Sequence, residues 1–348
     1  MEKSFIFPSV FEENYREFDK VATNFIEGMK IINFKGNDYI IGELALKEGN
    51  SPHKFLNSSA RDTDYQLLGL TALLVATQGR FSNLVITTGF PFTTFQPYRQ
   101  GAIDFFTGEH ELSFDMSTLG GMSIEKAGFK VPHVEVMPEI EGCIKAIRDG
   151  EISEKKNFFI ASLGFGTFET ALSTPNGLIY RTTHSTQGLF YAVNILENIL
   201  QKQYYLNLLT AQQIERAFQR GSIISNRRRI DLTKIRAKAL HSYYKEVIST
   251  ALRRKFNDED FLRAEKLYLV GGGARYEELV RDFREEFKDI LEVVVFPNPE
   301  LAASKGYCLH SLDAGKQKVN NSVEKGNYTY IGLDIGNSNT VVTTDNNF

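Results

Sequence analysis

Apolar and polar positions along the chain change period repeatedly, and each change predicts an element. Phe5–Val10 and Lys30–Phe34 read as short strands. A turn at Gly36-Asn37-Asp38 and a return at Tyr39–Glu43 make the second of these a hairpin. Leu67, Leu68, Leu70, Leu73 and Leu74 fall at helical spacing between Tyr65 and Thr77, and the run Asn83–Thr88 behind them predicts a buried strand. More strands are expected around 101–114 and 128–137, then a helix at Glu141–Arg148 and a charged surface loop at Glu151–Lys156. The second half repeats the scheme with strand Phe158–Leu163 and its hairpin partner Thr167–Leu172, then helices at 187–202, 210–220 and 232–255. Strand Lys266–Val270 runs into Gly271-Gly272-Gly273, followed by a helix at 275–287, a strand at 292–296 and a last helix at 299–313. Residues 313–327 are polar and predict a flexible linker. Beyond them Tyr328–Val342 is again strand, glycine turn and strand. An isolated hairpin is marginally stable, so this one is expected to join a sheet made earlier in the chain.

Composition narrows the class. A length of 348 residues predicts about two domains. With 42% hydrophobic and 24% charged residues the chain has the profile of a soluble globular protein. The net charge of -3 gives no global basic field, so direct nucleic-acid binding is not indicated. Cys143 and Cys308 make neither a disulfide framework nor a zinc spacing. No apolar run approaches the roughly 20 residues of a membrane span, and the opening residues lack a signal-peptide pattern. The expectation is a cytoplasmic protein.

Three glycine-rich turns follow three buried strands: Asp334-Ile335-Gly336-Asn337-Ser338-Asn339-Thr340, Ser162-Leu163-Gly164-Phe165-Gly166-Thr167 and Val270-Gly271-Gly272-Gly273-Ala274. Glycine permits positive φ and close backbone approach, so that successive N–H groups can point at phosphate oxygens. Each turn alone is compatible with an ordinary tight hairpin. Together, two strand–glycine–threonine hairpins and one strand–GGG–helix unit resemble the phosphate 1, phosphate 2 and adenosine motifs of the actin/Hsp70/sugar-kinase superfamily. Other stretches resemble the bacterial and archaeal actins of the ParM/StbA type: Phe7-Pro8-Ser9-Val10, Tyr39–Leu46, Ile86–Phe92, Val134–Glu139 and Val295–Tyr307. The resemblance covers nearly the whole chain apart from the linker. It implies an α/β, two-lobed actin-like fold (ribonuclease H-like, duplicated) with nucleotide in the cleft. Lobe one is expected to combine residues 1–140 with 328–348, and lobe two to span 141–312. The order departs from the family, because the phosphate 1 hairpin closes the chain instead of opening it. This implies a circular permutation, natural or engineered.

The resemblance also implies roles. Asp334 is the expected magnesium contact, since a hard cation beside polyphosphate takes carboxylate oxygen. Gly336, Asn337, Ser338, Asn339 and Thr340, with Gly164, Phe165, Gly166 and Thr167, are expected to hold ATP or ADP phosphates. Gly271, Gly272, Gly273 and Ala274 would pass beneath the nucleoside, and Glu215 would contact ribose or base. Glu139 would orient or deprotonate the attacking water of a Mg-dependent ATPase. Ser162 stands where the family usually has an aspartate, and Glu169 lies across the turn. The implied activity is ATP hydrolysis coupled to self-association into filaments, in the service of plasmid or other DNA segregation and with room for an adaptor protein. A nucleotide-binding scaffold or sensor with weak or no hydrolysis, monomeric if the permutation blocks polymer contacts, is the alternative; a small-molecule kinase is a third. The basic run Arg227-Arg228-Arg229 reads as a solvated loop and helix N-terminal region, with an acidic partner or neighbouring subunit as the other reading.

Overall fold

The computed structural model describes residues 2–54, 59–121, 123–204, 210–316 and 328–345. The chain forms two compact units, residues 1–154 with 301–348 and residues 155–300. The first begins with strands β1 (Lys3–Pro8), β2 (Val10–Glu13), β3 (Lys30–Phe34), β4 (Asn37–Ile41), β5 (His53–Lys54), β6 (Ser82–Phe90), β7 (Gly108–Asp115) and β8 (Ile124–Pro138). Its helices to this point are α1 (Glu43–Glu48), α2 (Thr63–Thr77), α3 (Phe95–Phe106) and α4 (Glu139–Asp149). The second unit supplies strands β9 (Phe158–Leu163), β10 (Thr167–Thr174), β11 (Gly177–Leu178), β12 (His184–Gln187), β13 (Ser222–Ser225), β14 (Arg228–Asp231), β15 (Lys266–Val270) and β16 (Glu292–Val295). Its helices are α5 (Phe190–Tyr204), α6 (Ala211–Arg220), α7 (Thr233–Tyr243), α8 (Ser249–Lys255), α9 (Asp258–Phe261) and α10 (Glu277–Phe287). The chain then returns to the first unit as α11 (Ala302–Ala314), β17 (Thr329–Ile335) and β18 (Asn339–Thr344).

One topology is built twice. In the second unit β12, β10, β9, β15 and β16 lie in that order, antiparallel up to β9 and parallel from β9 onward. In the first unit β1, β18, β17, β6 and β8 repeat the order and the directions. The difference is where the strands come from. The second unit uses its own sequence order, whereas the first takes its central hairpin β17–β18 from the far end of the chain. That hairpin is held on both sides, by β6 through Leu333 opposite Thr88 and by β1 through Lys3 opposite Thr344.

Each sheet is covered by helices whose apolar faces the sequence marks out. In the first unit α2 is buried almost all round, which its leucine content allows. On α11, Tyr307 and Cys308 are buried, and the helix approaches α4 and β17 through glycines. A side chain at Gly306 would collide with the Gly142 carbonyl, and one at Gly332 with the Ser304 carbonyl. The second core gathers Phe159, Phe168, Leu196, Phe218, Leu240 and Phe283 around β9, β10 and β15.

Four expectations change. Residues 101–106 belong to helix α3, not a strand, because Tyr98, Ala102 and Phe106 recur every four residues and bury Ala102 and Phe106. Helices α4 and α11, expected in the second lobe, pack in the first unit, since their glycine faces fit each other and β17. Residues 313 and 314, expected to open the linker, end α11 instead, and residues 317 to 327 of that segment lie outside the described residues. The basic run is the turn and second strand of the hairpin β13–β14, where Asn226 and Arg227 take positive φ.

Candidate functional site

In the first unit the glycine turn after β17 is closed locally and then fastened from outside. The Gly336 amide donates to the Asn339 carbonyl at 3.1 Å, and the Ser9 amide donates to the Ser338 carbonyl at 3.0 Å. The Ser9 and Thr340 hydroxyls meet at 2.9 Å in a buried contact. The Thr340 side chain, expected on phosphate, is therefore engaged in holding the turn. Ser9, immediately after β1, is a residue the sequence reading did not single out as part of this turn.

Asp334 sits one residue before the end of β17. Strands β17, β6 and β8 run parallel side by side, so their carboxyl ends share one edge of the sheet. Ligands of open α/β sheets bind outside that edge. Pro138 ends β8 and Glu139 opens α4, which delivers a second carboxylate to the same edge. The two interact: burial and then the nearby Glu139 carboxylate push the Asp334 carboxyl well above the ordinary carboxylate range. Tyr65 is also here. Its ring stacks on Phe90 at 5.5 Å, and its hydroxyl faces Thr88 and the field of Asp334. Burial pushes that phenol up. Sequence reasoning placed Tyr65 only as the start of a helix; the available signal was a hydroxyl among aliphatic residues.

Among the described residues no group of three His, Cys, Asp or Glu side chains could hold a metal ion by itself. A converging pair of carboxylates does fit magnesium, which usually takes one or two carboxylates with the remaining positions filled by phosphate and water.

In the second unit the turn 164–166 directs its carbonyls into the start of α5. Gly166, Gly164 and Phe165 accept from the amides of Gly188, Leu189 and Phe190 at 3.0, 3.0 and 2.9 Å. Gly188 is required there, because an added Cβ would lie 2.6 Å from the Gly164 carbonyl. Ser162 is buried directly opposite buried Glu169 in the β9–β10 ladder. An acid is thus delivered beside the Ser162 position from the neighbouring strand. After β15, Gly271 has φ of +81° and its amide donates to Pro299 at 2.7 Å. An added Cβ at Gly271 or Gly273 would meet Leu163 at 2.8 Å, but at Gly272 it would meet nothing within 4 Å. Packing explains the outer two glycines and leaves the middle one to another cause. Ala274 is buried in the protein. Buried Glu215 on α6 accepts from Gln219 at 3.3 Å and lies in the field of Tyr276, three residues past Gly273. The Tyr276 ring packs edge-on against Phe218 at 5.4 Å, with the Arg236 guanidinium 5.5 Å above it.

The expected residues therefore gather in two groups. Asp334, Glu139 and the 336–340 turn belong to the first unit, and the 164–167 turn, the triple glycine and Glu215 to the second.

Comparison with known proteins agrees with this construction. Residues 2–142 match the model of the actin like proteins N terminal domain. No curated protein matches the sequence. Among solved structures the fold is similar to Ta0583, an archaeal actin homolog, with TM-score 0.69 and 18% identity over 90% of this chain and 93% of that one. It is similar to a ParM filament subunit from Clostridium botulinum, with TM-score 0.70 and 19% identity over 89% and 92%. The actin-like protein Alp7A gives 0.66 and 16% over 90% and 92%. Its doubled sheet topology, its matched N-terminal domain and these likenesses over nine-tenths of its length give the chain an actin-like fold.

Proposed function

We propose that this protein binds ATP with magnesium and hydrolyses it, coupled to assembly into filaments. The observation that carries the reading is the Asp334–Glu139 pair on the carboxyl edge of the parallel strands, beside a glycine turn. Two half-buried carboxylates held near each other repel, and a cation relieves that cost. When bound, magnesium would neutralise phosphate charge; Asp334 would hold it. Glu139 would orient the attacking water, and the backbone of Gly336–Asn339 and of Gly164–Thr167 would hold phosphate oxygens. Gly272 provides backbone without a side chain where the nucleoside would pass, and Glu215 offers a carboxylate to the ribose or base. A complex of Ta0583 with ADP supports the nucleotide, and the Clostridium ParM filament supports assembly. Head-to-tail contacts between identical copies give open filaments. Plasmid or DNA segregation, through an adaptor protein, is the finer part of this reading and rests on the likeness to ParM alone.

We also propose that the chain order is permuted relative to the family. The support is internal: the second unit's strand order becomes that of the first when β17–β18 is moved ahead of β1.

A second reading is favoured by Ser162. Its hydroxyl stands at the family's acidic position, and Glu169 reaches that place only from across the ladder. A protein so arranged would bind nucleotide and hydrolyse it slowly or not at all. Phosphate release with Mg-ATP, measured across protein concentration alongside pelleting, separates the two. Release rising steeply above a critical concentration, together with pelleting, supports the polymerising ATPase. Tight binding without release supports the scaffold, and absence of nucleotide binding defeats both.

A further inference from the structure

Charge is divided between the two units. Residues 155–300 carry 22 Lys and Arg against 17 Asp and Glu, while the rest of the chain carries 18 against 26. Within the basic unit the excess is concentrated further. Residues 216–238, from α6 through β13–β14 into α7, hold eight Lys and Arg and a single acid, Asp231. Elsewhere in this unit the arginines tend to be matched: Arg181 with Asp260, Arg253 with Glu286, Arg275 with Glu300 and Arg284 with Glu277. By contrast Arg227, Arg228 and Arg229 are exposed, and no ion pair engages them among the described residues.

Among the described residues the hairpin that carries them joins neither large sheet, forming a two-stranded ribbon whose edges no other strand pairs. Ile224, the cross-strand partner of Arg229, is 69% exposed. At the tip Arg227 has φ of +63°, a conformation that favours glycine or asparagine. Among the described residues no ion pair compensates three adjacent like charges, one of them on a residue unfavourable for its backbone. Folding alone does not account for them, and a partner of opposite charge does.

We propose that the β13–β14 hairpin of one copy docks on the acidic first unit of a second copy of this chain. The chain itself supplies the complementary charge, which favours this occupant over others. Contact between two different surfaces of identical copies is heterologous and can propagate. Arginine suits such a contact because its fork meets carboxylates in bidentate fashion. The proposal deepens the filament reading and rests on it.

The test compares the wild type with the double variant Arg228→Glu/Arg229→Glu, both side chains being exposed on the ribbon. Thermal unfolding and nucleotide affinity of the monomer first establish that the variant is folded. Pelleting with Mg-ATP is then measured at low and high salt. The wild-type critical concentration rises with salt, whereas that of the variant is at least about tenfold higher at low salt and nearly independent of it. Equal pelleting of the two proteins overturns the contact and leaves the filament reading standing. So does a variant that pellets normally but has lost binding to a mixed-sequence DNA duplex, which would make the hairpin a nucleic-acid contact. If the wild type fails to pellet with any nucleotide, the filament reading fails and sedimentation velocity at low salt decides the contact. An arginine-dependent dimer supports it, and a monomer at every concentration overturns it.

Discussion

Asp334→Asn separates the charge of this half-buried carboxyl from its shape. In the nucleotide-free protein, burial and Glu139 hold the Asp334 carboxyl well above its ordinary range, so the folded state binds that proton more tightly than the unfolded chain does. Stability contributed at this position is therefore present below the unfolded-chain value of about 3.9 and is lost as pH rises towards the raised folded-state value. Asparagine has no such dependence. The difference between variant and wild type should be near zero at acid pH and grow as pH rises. At pH 7.5 it should favour the variant by about 1–3 kcal/mol, the cost of holding a partly desolvated charge beside a second carboxylate. For a unit of this size that is about 2–4 °C in Tm for each kcal/mol. Taking the difference cancels the other titrating groups, including Glu2 and Asp345, whose carboxyls burial also pushes up. Thermal unfolding by circular dichroism across pH, with and without Mg-ATP, measures both halves of the argument, because the variant should also lose most of the nucleotide-induced rise in Tm. A variant that is less stable than wild type at pH 7.5, by an amount independent of pH, would refute the reasoning. It would show a carboxylate already satisfied by the fold.

Other outcomes test separate parts of the structure. Glu139→Gln should abolish phosphate release while leaving nucleotide affinity within a few-fold, as a fluorescent-nucleotide titration would show; unchanged release removes Glu139 from its role. Gly271→Ala combines a positive φ with a Cβ 2.8 Å from Leu163 and should cost about 2–3 kcal/mol in urea unfolding. Gly306→Ala should cost at least about as much by forcing α11 off the Gly142 carbonyl. Cys143 and Cys308 are buried and burial pushes the Cys308 thiol up, so thiol reagents should modify both only at the rate of unfolding.

Much of the local structure was legible in the sequence because it depends on neighbouring residues. The β3–β4 hairpin follows from its turn, where Lys35 and Gly36 take positive φ. The helix at α2 follows from leucine spacing, and the β17–β18 hairpin from an apolar run broken by Gly336. That this hairpin had to enter an existing sheet also follows, since a bare hairpin is marginal. The α3 segment was misread because alternation and four-residue spacing overlap in a short stretch, and burial of Ala102 and Phe106 from one side decided between them.

What the sequence by itself determined is therefore the inventory: which segments are strands and helices, where glycine must stand, and which carboxylates are available for chemistry. Only the tertiary structure decided who meets whom. It set Glu139 beside Asp334 although more than half the chain separates them, placed Glu169 opposite Ser162, brought Ser9 to the 336–340 turn, and gave α4 and α11 to the first unit. The physical reason is that backbone conformation answers to local sterics and periodicity. Proximity answers to strand register and to how closely two backbones can approach, as Gly142 and Gly306 allow here.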